Sequence, residues 1–142
     1  MGNNTKKLVI LGIILLITIL VLYISLPFIF MGPAAPFFVI HNHDVKSHEV
    51  VVEVFDQHNK SIIYETYSLE PEGDFSQARP LSLQFQREKR MYTFKVTMDK
   101  QITSAVRMEI PHSHSLVDIR LYSKDYESGE IVPISMEIAE VV

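Results

Sequence analysis

The 142-residue chain has no cysteine. It therefore has no disulfide staple and no thiolate for metal binding or nucleophilic attack, and a fold outside the membrane must rest on its core alone. Charge is missing over a long stretch: after Lys7 the next charged residue is Asp44. Catalytic signatures are missing too. There is no G-x-S-x-G, no H-E-x-x-H and no phosphate-binding G-x-x-x-x-G-K. From residue 37 on, 11 Lys or Arg stand against 17 Asp or Glu, so this part carries a net −6 and no basic face. That argues against a nucleic-acid partner. The average of 47% apolar residues thus hides two materials, a lipid-compatible segment and one small acidic domain.

The uncharged stretch is built for lipid. Leu8 to Phe30 is rich in Leu and Ile, and its 23 residues would rise about 34 Å as a helix, enough for a hydrocarbon core of about 30 Å. Pro27 is expected to kink or end that helix near its far side. Lys6 and Lys7 flank the near end, which by the positive-inside rule puts Met1 in the cytoplasm and the domain outside. The apolar run is longer than the h-region of a cleaved signal peptide, so it reads as an uncleaved signal anchor. The expected layout is a cytoplasmic tail at 1–7, a transmembrane helix at 8–31, a Pro-rich linker at 32–36 and an extracytoplasmic domain at 37–142.

Beyond Pro36 the apolar period is two. The runs 37–40, Val50-Val52-Val54, Leu81-Leu83-Phe85, Tyr92-Phe94-Val96-Met98, Val106-Met108-Ile110, Val117-Ile119-Leu121 and Val132-Ile134-Met136-Ile138 each predict a half-buried antiparallel strand. Turn residues separate them at 56–60, 70–74, 99–101 and 123–130. Pro133 marks the last run as an edge strand. The fold class is all-β, an antiparallel β-sandwich of about seven to eight strands behind one helix. Met91, Met98, Met108 and Met136 fall mostly in phase with the apolar rows and read as core. Arg87-Glu88-Lys89-Arg90 reads as a solvated turn.

The stretch from Met91 to Asp99 followed by Ile102 resembles the late hairpin of immunoglobulin-like modules in membrane-anchored prokaryotic surface proteins. The hairpin from His48 to Leu69 is similar to an earlier one of such modules. Arg90 and Met91 stand where these modules usually carry a glycine before the tyrosine. The resemblance implies adhesion, envelope scaffolding or partner binding and no enzyme chemistry.

Histidine placement is the one feature with a chemical flavour. His41 and His43 form one H-x-H pair and His112 and His114 another. In a strand such a pair shares a face, so two pairs on neighbouring strands would offer four nitrogens to copper or zinc. Asn59-Lys60-Ser61 is a glycosylation sequon in a predicted turn, which makes Asn59 a candidate glycan acceptor. The leading expectation is a non-catalytic binding or structural module of the cell envelope, held to the membrane by a single helix, with a protein or envelope partner. An extracytoplasmic copper- or zinc-binding protein and an accessory subunit of a membrane complex are the alternatives.

Overall fold

The computed structural model describes residues 2–31, 34–84, 86 and 88–141 (at 27, 28, 30 and 31 the backbone only). The chain divides into two units, Met1–Ala34 and Ala35–Val142.

The first unit is one helix, α1 (Gly2–Met31). Its segment Gly2–Leu26 is long and apolar enough to cross a membrane. Two of its hydroxyl residues are satisfied locally, because Thr18 Oγ1 donates to Ile14 O (2.9 Å) and Ser25 Oγ to Val21 O (2.6 Å). A side chain that bonds its own helix brings no orphan polar group into lipid. The helix begins at Gly2, ahead of the span expected from residue 8, and its path runs through position 27 to Met31. A proline this near the end removes one N–H while the flanking turns keep theirs.

The second unit carries β1 (Phe38–Asn42), β2 (His48–Phe55), β3 (Ser61–Leu69), β4 (Asp74–Gln77), the single turn α2 (Leu81–Gln84), β5 (Arg90–Met98), β6 (Ile102–Ile110), β7 (Ser115–Lys124) and β8 (Ile131–Glu140). The strands make two four-stranded sheets, β4-β1-β7-β8 and β3-β2-β5-β6. One core joins them. Phe37, Phe38, Ile40, Val117, Ile119 and Leu121 meet Val50, Val52, Val54, Phe94, Val96 and Met98, all fully buried. The Phe94 ring lies 5.5 Å from that of Phe37 and 6.2 Å from that of Phe38. Each such side chain contributes about 1.5–3 kcal/mol by leaving water, which makes a disulfide unnecessary.

Period-two reading holds where a strand buries one face. It fails at 81–86. Pro80 O accepts the Leu83 N–H (2.8 Å) and the chain coils into α2, with Leu81 76% exposed and Leu83 buried. Gln86, expected to point out, is buried, where its amide donates to Ile110 O (3.0 Å). Phe85 lies outside the described residues, as do Gly32 and Pro33 of the expected linker, while Ala35 already packs into the domain. The short strand β4 occupies part of what reads as a turn. Strand β8 is an edge, in keeping with Pro133. One pair departs from the antiparallel expectation: β1 and β7 run parallel, with Phe38 beside Val117 and His41 beside Arg120.

Strands β1, β3, β5 and β7 run one way and the other four return. Loops 43–47, 70–73, 99–101 and 125–130 therefore gather at one end, the loop end. The other is the entry end, where Ala35 N–H donates to Ser113 O (3.2 Å). At the loop end Asp99 and Lys100 both have positive φ (51° and 58°). That turn sense matches the twist of the β5–β6 hairpin.

Candidate functional site

The outward row of the first sheet carries a chain of charges across all four strands. In β1, His41 stands opposite Asp74 of β4 and beside β7. Its Nδ1 is 2.6 Å from Asp74 Oδ1 and its Nε2 is 3.4 Å from Asp118 Oδ1. Arg120 lies two residues on in β7, on the same face. Its Nε (2.8 Å) and Nη2 (2.6 Å) both donate to Asp118 Oδ2. Its Nη1 lies 3.8 Å from Glu137 of β8. The order is acid, imidazole, acid, guanidinium, acid. The hydrogen bonds to Asp118 hold the Arg120 guanidinium above its ordinary range. Asp118 Oδ1 is buried and receives no hydrogen bond from the described residues.

Beside this row lies an open cleft of about 1000 Å³, with His41, His43, Arg120 and Tyr122 on one side and the β7–β8 turn on the other. That turn is fixed by its own bonds: Asp125 N–H donates to Glu130 O (2.8 Å), Gly129 N–H to Asp125 O (2.9 Å) and Glu127 N–H to Asp125 Oδ1 (2.8 Å). Gly129 adopts φ +71°, and Tyr126 at the tip is 95% exposed. A rigid turn thus presents an aromatic ring at the rim of a polar cleft.

A second imidazole sits behind the cleft. His48 is in phase with Val50, Val52 and Val54, so its side chain (6% exposed) closes the top of the core. Its Nδ1 is 2.6 Å from Asp99 Oδ2 and its Nε2 2.8 Å from Asp44 Oδ2. Burial pulls the His48 pKa down, but the two carboxylates outweigh it and the net direction is up. Asp44 and Asp99 are both held below the usual carboxylate range, chiefly by the hydrogen bond from His48. Backbone groups add to this: Val45 N–H donates to Asp44 (2.8 Å) and Glu49 N–H to Asp99 (3.0 Å). Asn42 ties the loops together by donating to Lys46 O (2.8 Å) and Glu70 O (2.9 Å).

Tyr122 links the two histidine sites. Its ring packs 5.1 Å from that of His48, and its residue has φ +51°. That value is costly for a bulky residue and persists only where the surroundings hold it. It turns the Tyr122 ring from the outer face onto the end of the core.

The structure does not bring the two H-x-H pairs together. His112 and His114 lie in the turn just before β7, whereas His41 and His43 lie at the end of β1. Because β1 and β7 are parallel, the end of one lies beside the end of the other. His41 is level with Arg120, five residues past Ser115, or about 17 Å along the strand. Within each pair the rings are 6.2 Å and 6.0 Å apart. His112 Nδ1 faces His114 N–H (3.3 Å), and its Nε2 lies 3.6 Å from Glu140. Among the described residues no three His, Cys, Asp or Glu side chains group as a metal ion would need. Asn59 is exposed in the β2–β3 turn at the entry end with φ +61°. Asp56 Oδ1 braces that turn by accepting from His58 N–H (2.8 Å) and Lys60 N–H (3.0 Å).

Sequence reasoning passes over Asp118 and Arg120 and misses the burial of His48. For His48 a signal existed, since a histidine in register with a valine row must be buried and must then find partners. Asp118 and Arg120 read as ordinary outward residues, because their burial comes from His41 and Glu137 on other strands. The chain matches no protein-family model, and no curated protein is significantly similar to it.

Proposed function

We propose that the protein is a non-catalytic binding module of the cell envelope. In this reading α1 is a single-pass signal anchor with its N-terminus in the cytoplasm, and residues 35–142 form an immunoglobulin-like sandwich outside. The partner meets the loop end, at the cleft between the charged row and the β7–β8 turn. The observation that carries this reading is the concentration of built polar structure at that one end. Two acid–imidazole–acid contacts, a strained tyrosine and a braced, exposed Tyr126 lie there. Only His48 and Tyr122 among them also cover the core. The two-sheet architecture supports the sandwich, and the apolar helix supports the anchor. No group in the cleft is arranged as a nucleophile beside a base, which favours recognition over chemistry.

A photo-crosslinking amino acid at position 126 in the full-length protein, expressed in its membrane, tests the assignment. Position 64 on the outer face of β3, also exposed, serves as the control. Adducts are expected from 126 and not from 64. Equal labelling at both positions, or none at 126, would sink the cleft as the binding surface.

A further inference from the structure

We propose that His48 is a protonation switch for the cleft: doubly protonated, it ties the β1–β2 loop to the β5–β6 turn, and loss of one proton releases that loop and Tyr122. The inference rests on the reading of the cleft as a binding surface and adds its regulation.

Hydrogen-bond stoichiometry supplies the first step. Ionised carboxylates only accept, so a ring with both nitrogens against carboxylates donates from both, which is the imidazolium form. His48 meets Asp99 at 2.6 Å and Asp44 at 2.8 Å. A neutral imidazole has one N–H. It would set a lone pair against one of these carboxylates, and the ring nitrogen is itself buried although Asp44 and Asp99 are partly exposed. The groups facing His48 are Asp44 from the β1–β2 loop, Asp99 from the β5–β6 turn and Tyr122 from β7. The neighbouring cations are engaged or remote: Lys100 lies 3.5 Å from Glu49, and Lys46 acts on Asp44 through space.

The second step is which contact yields. Asp99 is locked in a tight hairpin, where it accepts Glu49 N–H (3.0 Å) and donates its own N–H to Glu49 O (2.8 Å). Asp44 lies in the segment 43–47, whose backbone is held by Asn42 and by Glu72 N–H on Asp44 O (3.1 Å), but its carboxylate has the longer contact with His48. The neutral ring therefore keeps its proton on Nδ1 toward Asp99 and lets Asp44 go.

The third step is the output. Residue 43, next to Asp44, lines the cleft and donates its N–H to Leu121 O (3.1 Å). Tyr122 follows at once, with its ring on His48 and its backbone at positive φ. When the imidazolium becomes neutral the ring contact loses its cation–π part, so less offsets that strain. The cleft is thus assembled on the acidic side of the His48 transition and loosened on the alkaline side.

The experiment is a solution NMR titration of the full-length protein in lipid nanodiscs from about pH 5 to about pH 9, following the His48 ring carbons and the amides of Val45, Lys46 and Tyr122. The expected result is a shared midpoint. In H48Q, with His41 and His43 intact, the amide inflection should vanish. In D44N the His48 midpoint should fall by about one unit, as loss of one opposing charge requires. Amides that stay flat while His48 titrates would overturn the proposal, as would an inflection that survives unchanged in H48Q. If H48Q does not fold, D44N decides alone, and an unmoved midpoint overturns the switch. None of these signals requires a partner, so failure at position 126 and failure of the switch are separate results.

Discussion

The guanidinium carbon of Arg79 lies 5.3 Å from the centre of the Phe37 ring, at the entry end of the β domain. The side chain is 4% exposed and forms no ion pair with any described residue. Its Nε donates to Ala35 O (3.3 Å) and its Nη2 to Ser115 O, while Nη1 has no partner among the described residues. Burial pulls its pKa down. A buried cation without a carboxylate is expensive, and here it serves to satisfy two buried carbonyls where the chain enters the core.

Arg79→Ala should therefore cost about 2–4 kcal/mol, since it strands both carbonyls and uncovers the Phe37 ring. Arg79→Met should cost less than Arg79→Ala. It keeps the aliphatic cover and removes the desolvated charge, although the carbonyls stay unpaired. Denaturant unfolding of the full-length protein in detergent checks the order. An alanine variant no less stable than the methionine variant would contradict it.

Tyr122 should reverse a familiar preference. In a strand, glycine is normally worse than alanine by about 0.5–1 kcal/mol. At φ +51° the side chain's Cβ is the liability. Both Tyr122→Gly and Tyr122→Ala lose the packing on His48, but only glycine relieves the backbone. Tyr122→Gly is expected to be the more stable of the two by about 0.5–1 kcal/mol, and thermal unfolding of both variants side by side measures it.

The His48 cluster gives the domain a stability plateau in pH. His48 is raised above its ordinary 6.5, so its contribution is complete below pH 6.5 and is lost as pH rises through the folded value. Asp44 and Asp99 are lowered below their ordinary 3.8. Their contribution is complete above pH 3.8 and is lost as pH falls through their folded values. Melting temperature should therefore hold between these limits and decline on both sides. H48Q should flatten the alkaline decline while leaving the one at acid pH in reduced form. An alkaline decline of the same size in H48Q would assign it to another group.

Much of the fold is legible because a strand covered on one side writes period two into the chain. Val50-Val52-Val54 and Tyr92-Phe94-Val96-Met98 do so and are buried as read. The same pattern over only Leu81-Leu83-Phe85 is too short to separate a strand from a helical turn, and Pro80 tips it to α2. Val106 is in phase but 37% exposed, because strand β6 is the edge of its sheet. What period two never encodes is which strands become neighbours. The parallel pairing of β1 with β7, 79 residues apart at Phe38 and Val117, separates the two H-x-H pairs. The same long-range assembly creates what the sequence hides: Asp99 reaches His48 from 51 residues away, and Asp74 reaches His41 from 33.

The charged row should respond unequally to loss of its members. Among the described residues Arg120 alone hydrogen-bonds Asp118, whose side chain is 11% exposed and whose other oxygen lies 3.4 Å from His41 Nε2, whereas Glu137 is 66% exposed and 3.8 Å from Arg120. Arg120→Ala leaves a nearly buried carboxylate with only the 3.4 Å His41 contact and should cost about 2 kcal/mol or more. Glu137→Ala removes an exposed partner and should stay within about 0.5 kcal/mol. Chemical denaturation distinguishes them, and equal losses would mean that the row acts as one unit rather than through the Asp118–Arg120 contact.

Absence of cysteine makes the proposed topology open to a clean test. A single cysteine introduced as Tyr126→Cys lies on an exposed tip of the β domain, and one introduced as Asn4→Cys lies near the start of α1 beside Lys6 and Lys7. The two lysines should hold their end in the cytoplasm, since moving cationic side chains across the hydrocarbon core is opposed and the far end offers no competing positive charge. A membrane-impermeant maleimide added to intact spheroplasts should then label Cys at position 126 and spare position 4 until lysis. Replacing Lys6 and Lys7 by Glu should raise the fraction labelled at position 4, because the orientation signal is the charge itself. Labelling of position 4 in intact spheroplasts of the otherwise unaltered protein would place the β domain in the cytoplasm, and the envelope reading would fall with it.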